Sequence, residues 1–309
     1  MKTNLFIIGA AKSGTTSLYR YLDQHDEIYF SPVKETNFFS KEIDINKLST
    51  HYKRSNFLDT DSYFAQDTLK ELPLSIIQKQ SQYKRLFKEA GDAKYHAEAS
   101  VSYMYSPVAA KEIQKYNPNA KFIAILRNPA ERAFSHYLMA LRFGYTSLPF
   151  RQAFDKDMDA PRKGWGINEL FYELGLYYSQ LKKFHDLFPA ENIRVYLFED
   201  LQDNPQKVCH SIFDFLDTRH QHIDTEQTYN QGHLPKNPRL NKLLYRSGFR
   251  KVISTMLPDK LVSKVKAGML KKHKPTLTSE DKKYLTGLYE NEIKETAFLI
   301  NRDLSQWIT

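Results

Sequence analysis

Three stretches of this chain carry residues whose types and spacing could do chemistry. The first is Gly9-Ala10-Ala11-Lys12-Ser13-Gly14-Thr15-Thr16, which follows the apolar run Leu5 to Ile8 and leads into helical spacing from Ser17 to Leu22. Gly9 and Gly14 permit backbone angles closed to other residues. A helix starting behind such a turn aims unpaired N–H groups into it and carries roughly half a positive charge at that end. Lys12 adds a full charge, and Ser13, Thr15 and Thr16 add hydroxyls, so the loop suits phosphate or a similar anion. The Walker pattern places its lysine directly after the second glycine. Here Thr15 stands in that place and the lysine is at 12, which makes this a phosphate loop of a different kind. An ordinary strand-to-helix turn with incidental Gly, Ser and Thr is the competing reading.

The second stretch is Lys121 to Leu126, a buried-type strand, followed by Arg127 and a helix with Asn128 as N-cap, Pro129 at its first position and Glu131 at its third. Arg127 thereby stands at the C-terminal edge of a parallel strand, where open α/β sheets bind ligands. Ser135 follows eight residues on, along that helix. A structural ion pair is the alternative role for the arginine. The third stretch, SPVKETNFFS, reads as a loop returning over the sheet, with Lys34 and Glu35 beside Phe38 and Phe39. A carboxylate next to aromatics in a cleft is how a general base is tuned, and surface decoration explains the same residues equally well. His96 and His136 are the other candidate bases; a strand position for one and a helix position for the other favour packed or hydrogen-bonded histidines.

The elements that must position these residues alternate. Strands are expected at Leu5–Ile8, Glu27–Phe30, Lys94–Glu98, Lys121–Leu126 and Arg194–Leu197, with helices between them. That order predicts an α/β fold with a central parallel β-sheet flanked by helices, organised as one domain over 1–309. Residues 43–91 read as a helical insertion, with helical spacing from Leu74 through Ile77 and Tyr83 to Phe87. Phe150 to Gly166 reads as a lid-like polar connection. Ile167 to Phe188 reads as one long helix through Leu170, Leu174, Tyr177, Leu181 and Phe184. A further helix begins at Asp203-Asn204-Pro205, and a last amphipathic one spans 280–300.

The single cysteine, Cys209, excludes an internal disulfide framework and suits a reducing compartment. Met1 to Asn4 runs straight into the first strand, and no apolar run approaches about 18 residues. A soluble cytoplasmic protein is therefore expected. Lys236 to Lys274 holds 12 Lys or Arg against Asp259 alone, which accounts for more than the whole net charge of +9. A partner with phosphate, sulfate, uronate or lipid head groups would be drawn there, so peripheral membrane contact is open beside the plainer reading of a solvated basic helical face.

AAKSGTTSL after the first strand, KETNFF after the second, LRNPAERAFSHY after a later one and GLYYSQLKKFHDLFP before another resemble the sulfotransferases that use 3′-phosphoadenosine 5′-phosphosulfate (PAPS). The chain is most similar to their carbohydrate branch, to heparan sulfate sulfotransferase domains and to bacterial members without a membrane anchor. The resemblance implies a P-loop-containing nucleotide-hydrolase-like fold. It implies that Ala11, Lys12, Ser13, Gly14, Thr15 and Thr16 cradle the 5′-phosphosulfate, that Arg127 and Ser135 hold the 3′-phosphate, and that Lys236 and Arg239 match a late cationic loop, GHLPKNPR. By the same resemblance Glu35 takes the proton of an acceptor hydroxyl or amine, Lys12 neutralises charge on the leaving phosphate, 3′-phosphoadenosine 5′-phosphate (PAP) is the product and no metal is needed. Members acting on small phenols and steroids use a histidine as base; Glu35 favours a sugar or glycolipid acceptor. The heparan 3-O group often carries a histidine and a lysine where this chain has Asn37 and Ala99, so that group's acceptor contacts do not carry over.

Two other function classes compete. A P-loop kinase would use the same loop for ATP, but the chain lacks GK[ST] and an acidic Mg²⁺ ligand after a second buried strand. A non-catalytic anion-binding protein would dock through Lys236 to Lys274, a segment without the aromatic interleaving or motif of a nucleic-acid binder.

Overall fold

The computed structural model describes residues 2–56, 59–226, 234–247 and 275–308. Five strands form one sheet in the order β2-β5-β1-β6-β7, every neighbouring pair parallel. They are β1 Leu5–Gly9, β2 Ile28–Phe30, β5 Tyr95–Glu98, β6 Lys121–Leu126 and β7 Ile193–Leu197. β1 is central and all five of its residues are buried, which is why its sequence is an unbroken apolar run instead of an alternating one. Successive side chains still point to opposite faces. Phe6, Ile8 and Phe122 join one core, Leu5, Ile7, Ile123 and Ile125 the other.

Helices cover both faces. The second core receives α1 (Thr15–Leu22) and α11 (Pro205–Leu216) through Leu18, Leu22, Cys209 and Ile212. The first is covered by α7 (Pro129–Arg142), α9 (Tyr177–His185) and the C-terminal helix Ser279–Ile300, through residues such as Phe134, Phe184 and Tyr289. Among the described residues, α5 (Ser102–Tyr105), α6 (Ala109–Tyr116), α8 (Phe150–Met158), α10 (Phe198–Asp203) and α12 (Pro238–Ser247) complete the set outside the insertion. The central parallel sheet flanked by helices is the architecture the strand–helix alternation predicts. No helix among the described residues is long and apolar enough to cross a membrane.

Several expectations are corrected. Lys34 and Glu35 do not lie in a loop: Val33–Glu35 is β3, paired in parallel with β4, Leu72–Leu74, so that Glu35 faces Leu74 in register. Residues 43–91 are accordingly not purely helical; around that small sheet stand α2 (Thr50–Ser55), α3 (Thr60–Phe64) and α4 (Gln80–Arg85). Leu74 to Ile77 is extended because Ser75 N–H donates to the Glu35 carbonyl at 2.9 Å and Ile77 N–H to that of Thr36 at 3.0 Å. Residues 150–166 are no polar lid, since α8 buries Phe150, Ala153 and Phe154. The long helix starts only at Tyr177. The Asp157 carboxylate takes the amides of Glu169 at 2.9 Å and Phe171 at 2.7 Å, Leu170 adopts φ 58°, and the chain bends where its apolar spacing suggested a helix. Arg239 lies within α12, not in a loop. Gly232 and His233, and the basic segment from 248 to 274, lie outside the described residues.

Candidate functional site

The chain leaves β1 for β2 and β5 on one side and later crosses to β6 and β7 on the other. The reversal opens a crevice at the carboxyl ends of β1 and β6, the switch point at which open α/β sheets take ligands. Lys12 and Arg127 follow those two strands. The loop after β1 is tied to its neighbour by Ala10 N–H donating to the Ile125 carbonyl at 2.7 Å. Lys12 adopts φ 69°, and Gly14, the N-cap of α1, adopts φ 91°. Gly14 is required twice over: its backbone is left-handed, and a Cβ there would stand 2.8 Å from the Phe198 ring. The first-turn amides of α1 have no side-chain cap, so their donors are available to an anion. Lys12 Nζ lies 3.6 Å from Met139 Sδ.

Arg127 is held from several directions. Its carbonyl accepts the Tyr177 hydroxyl at 2.7 Å, its guanidinium stands 4.9 Å from the Phe198 ring centroid, and Nη2 meets Glu131 Oε2 at 3.2 Å. Asn128 caps α7 as its sequence predicts, accepting from Ala130 N–H at 3.0 Å and Glu131 N–H at 3.3 Å. Phe198 thus stands against both the Gly14 turn and Arg127. Only its place directly after a strand could have marked it in the sequence.

Glu35 ends β3 with its carbonyl fixed by Ser75 N–H and by Asn37 Nδ2 at 3.2 Å. Its carboxylate pairs with Lys34 Nζ at 3.1 Å, both side chains mostly buried. Tyr52 stands near: burial, and next the Glu35 charge, push its phenol up, and its oxygen accepts Trp165 Nε1–H at 3.1 Å. Behind β3, the fully buried Glu98 accepts from Tyr103 at 2.7 Å, Tyr83 at 3.0 Å and Thr36. Burial pushes its carboxyl up to about 7 against those hydrogen bonds.

One cleft of about 1070 Å³ brings together Ala11, Lys12, Gly14, Thr15, Thr16, Glu35, Arg127 and Ser135. Ser13 is fully buried and does not line it. Lys236 and Arg239 are exposed and also outside its wall; α12 instead docks on the end of α7, where Asn241 Nδ2 donates to the Leu141 carbonyl at 2.9 Å. His96 is away from the cleft, its ring 6.0 Å from that of Phe87. His136 lines it, buried, and belongs to a group the sequence did not suggest. Glu169 Oε2 lies 3.5 Å from His136 Nε2 and Oε1 lies 3.4 Å from His51 Nε2. Burial opposes ionisation of Glu169, but the two histidines outweigh it and hold the carboxyl down at about 2. Burial pushes His136 below the usual histidine range.

A parallel sheet with an anion loop after its central strand, an arginine after the neighbouring strand and a cleft across both defines an α/β protein built for a phosphate-bearing ligand. Residues 4–222 match the model of the sulfotransferase family, and the chain belongs to that family. Among curated relatives, carbohydrate sulfotransferase 15 of Homo sapiens is 26% identical over 69% of this chain and 43% of its own length. The bifunctional heparan sulfate N-deacetylase/N-sulfotransferase of Drosophila melanogaster is 25% identical over 68% of this chain and 19% of its own. The chain thus spans less than half the length of these curated relatives. A solved sulfotransferase from Alicyclobacillus acidocaldarius superposes with a TM-score of 0.70 at 27% identity, covering 100% of both chains.

Proposed function

We propose that this chain, acting as one domain over 1–309, moves a sulfuryl group from PAPS to a hydroxyl or amine of a carbohydrate or glycolipid acceptor. The observation that carries the reading is that Glu35, on the small β3–β4 sheet, opens onto the same cleft as the Lys12 loop and Arg127 of the main sheet. The uncapped turn at Gly14, where a Cβ would strike Phe198, fits a bound phosphate. Ala11, Lys12, Gly14, Thr15 and Thr16 then hold the 5′-phosphosulfate, with Ser13 buried behind them, and Arg127 and Ser135 the 3′-phosphate. Lys236 and Arg239 stand outside the cleft wall, and the reading rests on neither.

In the transfer step the acceptor oxygen or nitrogen attacks sulfur in line and gives its proton to Glu35. The bond between sulfur and the bridging phosphate oxygen breaks, its electron pair leaves with PAP, and Lys12 meets the charge that develops there. The protein's part is positioning and charge stabilisation, with general-base help contributing about 10²–10⁴-fold. The reading places the enzyme in the cytoplasm, its segment 236–274 resting on an anionic membrane surface; sedimentation with anionic but not neutral vesicles tests that. Glu35→Gln is expected to lower transfer by that factor while calorimetry finds PAP affinity unchanged. Retained turnover would sink the base assignment, and tighter binding of Mg-ATP than of PAP would sink sulfuryl transfer.

A further inference from the structure

A second groove, of about 820 Å³, lies at the other end of the strands from the cleft. Three separate segments wall it: Lys2 just before β1, Lys84, Arg85 and Lys88 on α4 and the turn after it, and Lys115 with Tyr116 at the end of α6. It therefore sits near the amino ends of β1 and β6, whereas Lys12 and Arg127 follow their carboxyl ends. Hydrogen bonds tie the segments together. Thr3 N–H donates to the Tyr116 hydroxyl at 3.3 Å, and the Tyr83 hydroxyl, from α4, donates to Thr3 Oγ1 at 2.9 Å.

Among the described residues no carboxylate lines this groove. Of its five cations, Lys115 is paired, with Glu112 at 2.7 Å. Lys2, Lys84 and Lys88 enter no ion pair among the described residues. Arg85 donates to the carbonyls of Phe64 and Gln66, which fix its guanidinium without cancelling its charge. Glu89 follows Lys88 in the chain but stays outside the wall. Exposed cations on other helices are matched one turn away, Arg151 with Asp155, Lys182 with Asp186 and Lys294 with Glu290. One turn to either side of Lys84 stand Gln80 and Lys88. A concavity lined by one sign of charge focuses its field and concentrates counter-ions.

The shape narrows the ligand. A groove of this volume suits a discrete molecule, and its concavity does not match a flat lipid surface. Phe87 is buried and stacks on His96, and Lys2 Nζ stands 5.8 Å from the Tyr116 ring centroid, so the described wall offers no open ring on which bases could stack. Lysine ammonium groups are point charges without a planar fork, and Gln80 and Ser81 add neutral donors and acceptors between them. That combination fits several sulfate esters carried on a hydroxyl-bearing sugar frame.

We propose that this groove is a second, non-catalytic site that binds a multiply sulfated oligosaccharide, the class of product that repeated transfer would build. The choice of ligand rests on the sulfuryl-transfer reading. The test is calorimetry of the full-length chain, saturated with PAP to fill the donor site, against a highly sulfated heparin tetrasaccharide and its desulfated, N-acetylated counterpart. PAP binding is measured separately. The sulfated probe alone should bind. Joint replacement of the exposed Lys84→Ala and Lys88→Ala should weaken it about tenfold, the size of two partly exposed charge pairs, and that difference should shrink as salt is raised. PAP affinity should not change. Lys115→Ala, on another segment of the wall, should weaken the same probe. No binding of the sulfated probe, equal binding of the desulfated one, or a double variant equal to wild type, as when Lys236 to Lys274 takes the probe instead, would overturn the groove while PAP binding still stood. Failure of the wild type to bind PAP would overturn the sulfuryl-transfer reading and the ligand assigned here with it.

Discussion

Arg127→Ala offers the sharpest separation of the donor from other nucleotides. The Arg127 side chain is only 19% exposed, so a phosphate it meets is partly shielded from water. A charge-assisted hydrogen bond of this kind contributes about 1.5–3 kcal/mol, or roughly 10- to 150-fold in Kd. Its partner Glu131 is 41% exposed, and a pair so open contributes about 0–1 kcal/mol to stability, so the variant should fold. The Tyr177 hydroxyl bonds the Arg127 carbonyl, not its side chain, and the backbone should keep its place. Glu131 then loses its cation and adds repulsion, which puts the expected loss in the upper half of that range. Calorimetry at fixed salt compares PAP with ADP, which lacks the 3′-phosphate: PAP should weaken by this factor and ADP by less than about threefold. Arg127→Lys should recover only part, because an ammonium lacks the planar fork. Equal losses for PAP and ADP would show that Arg127 does not read the 3′-phosphate.

Two predictions concern the frame around the cleft. Gly14→Ala forces a side chain into a left-handed conformation and sets a Cβ 2.8 Å from Phe198; urea denaturation should show a loss of about 1–3 kcal/mol, and an unchanged midpoint would contradict the tight approach. Glu98 has a folded-state carboxyl pushed up to about 7 by burial, so between about pH 4.5 and 7 the unfolded chain releases this proton first, and the native state is progressively disfavoured as pH rises. Stability from urea denaturation should therefore fall across that window by up to about 3 kcal/mol, and Glu98→Gln should flatten the slope; an identical slope in the variant would assign the effect to other groups.

What was legible in the sequence was local. The loop after β1 shows itself by two glycines and a lysine within six residues, and Arg127 by the Asn128-Pro129 cap that follows it. Both signals lie within one turn of the element they define. Glu35 could be singled out by type, but its strand could not, because β4 is supplied by Leu72–Leu74, far along the chain. Glu169 was hidden for a different reason. The apolar spacing of Leu170, Leu174 and Tyr177 imitates a helix, and only the Asp157 carboxylate, by claiming two amides, turns that stretch into a bend that presents Asn168 and Glu169 to the cleft. Phe198 is legible as an apolar residue after β7, but its contacts with Gly14 and Arg127 arise only when the strand order places β6 between β1 and β7.

The two halves of the cleft are held by separate hydrogen-bond systems that meet at β1 and β5. Lys12 is placed by the β1–β6 ladder and by the bond from Ala10 to Ile125. Glu35 is placed by β3, and β3 is tied to the sheet through Ala99 N–H, which donates to the Lys34 carbonyl at 3.2 Å, and through Thr36, which donates to Glu98 at the end of β5. β5 in turn pairs with β1, Leu5 facing Ala97 and Phe6 facing Glu98. The separation between anion loop and carboxylate is therefore set by strand registers, and a parallel register cannot shift without exchanging core faces. Such a frame suits a reaction in which the protein contributes little beyond position and charge. It also explains why the Glu98 carboxyl is kept where burial disfavours its charge: three hydroxyls converge on it, one of them from the residue next to Glu35, so the same group that costs stability anchors the strand that carries Glu35.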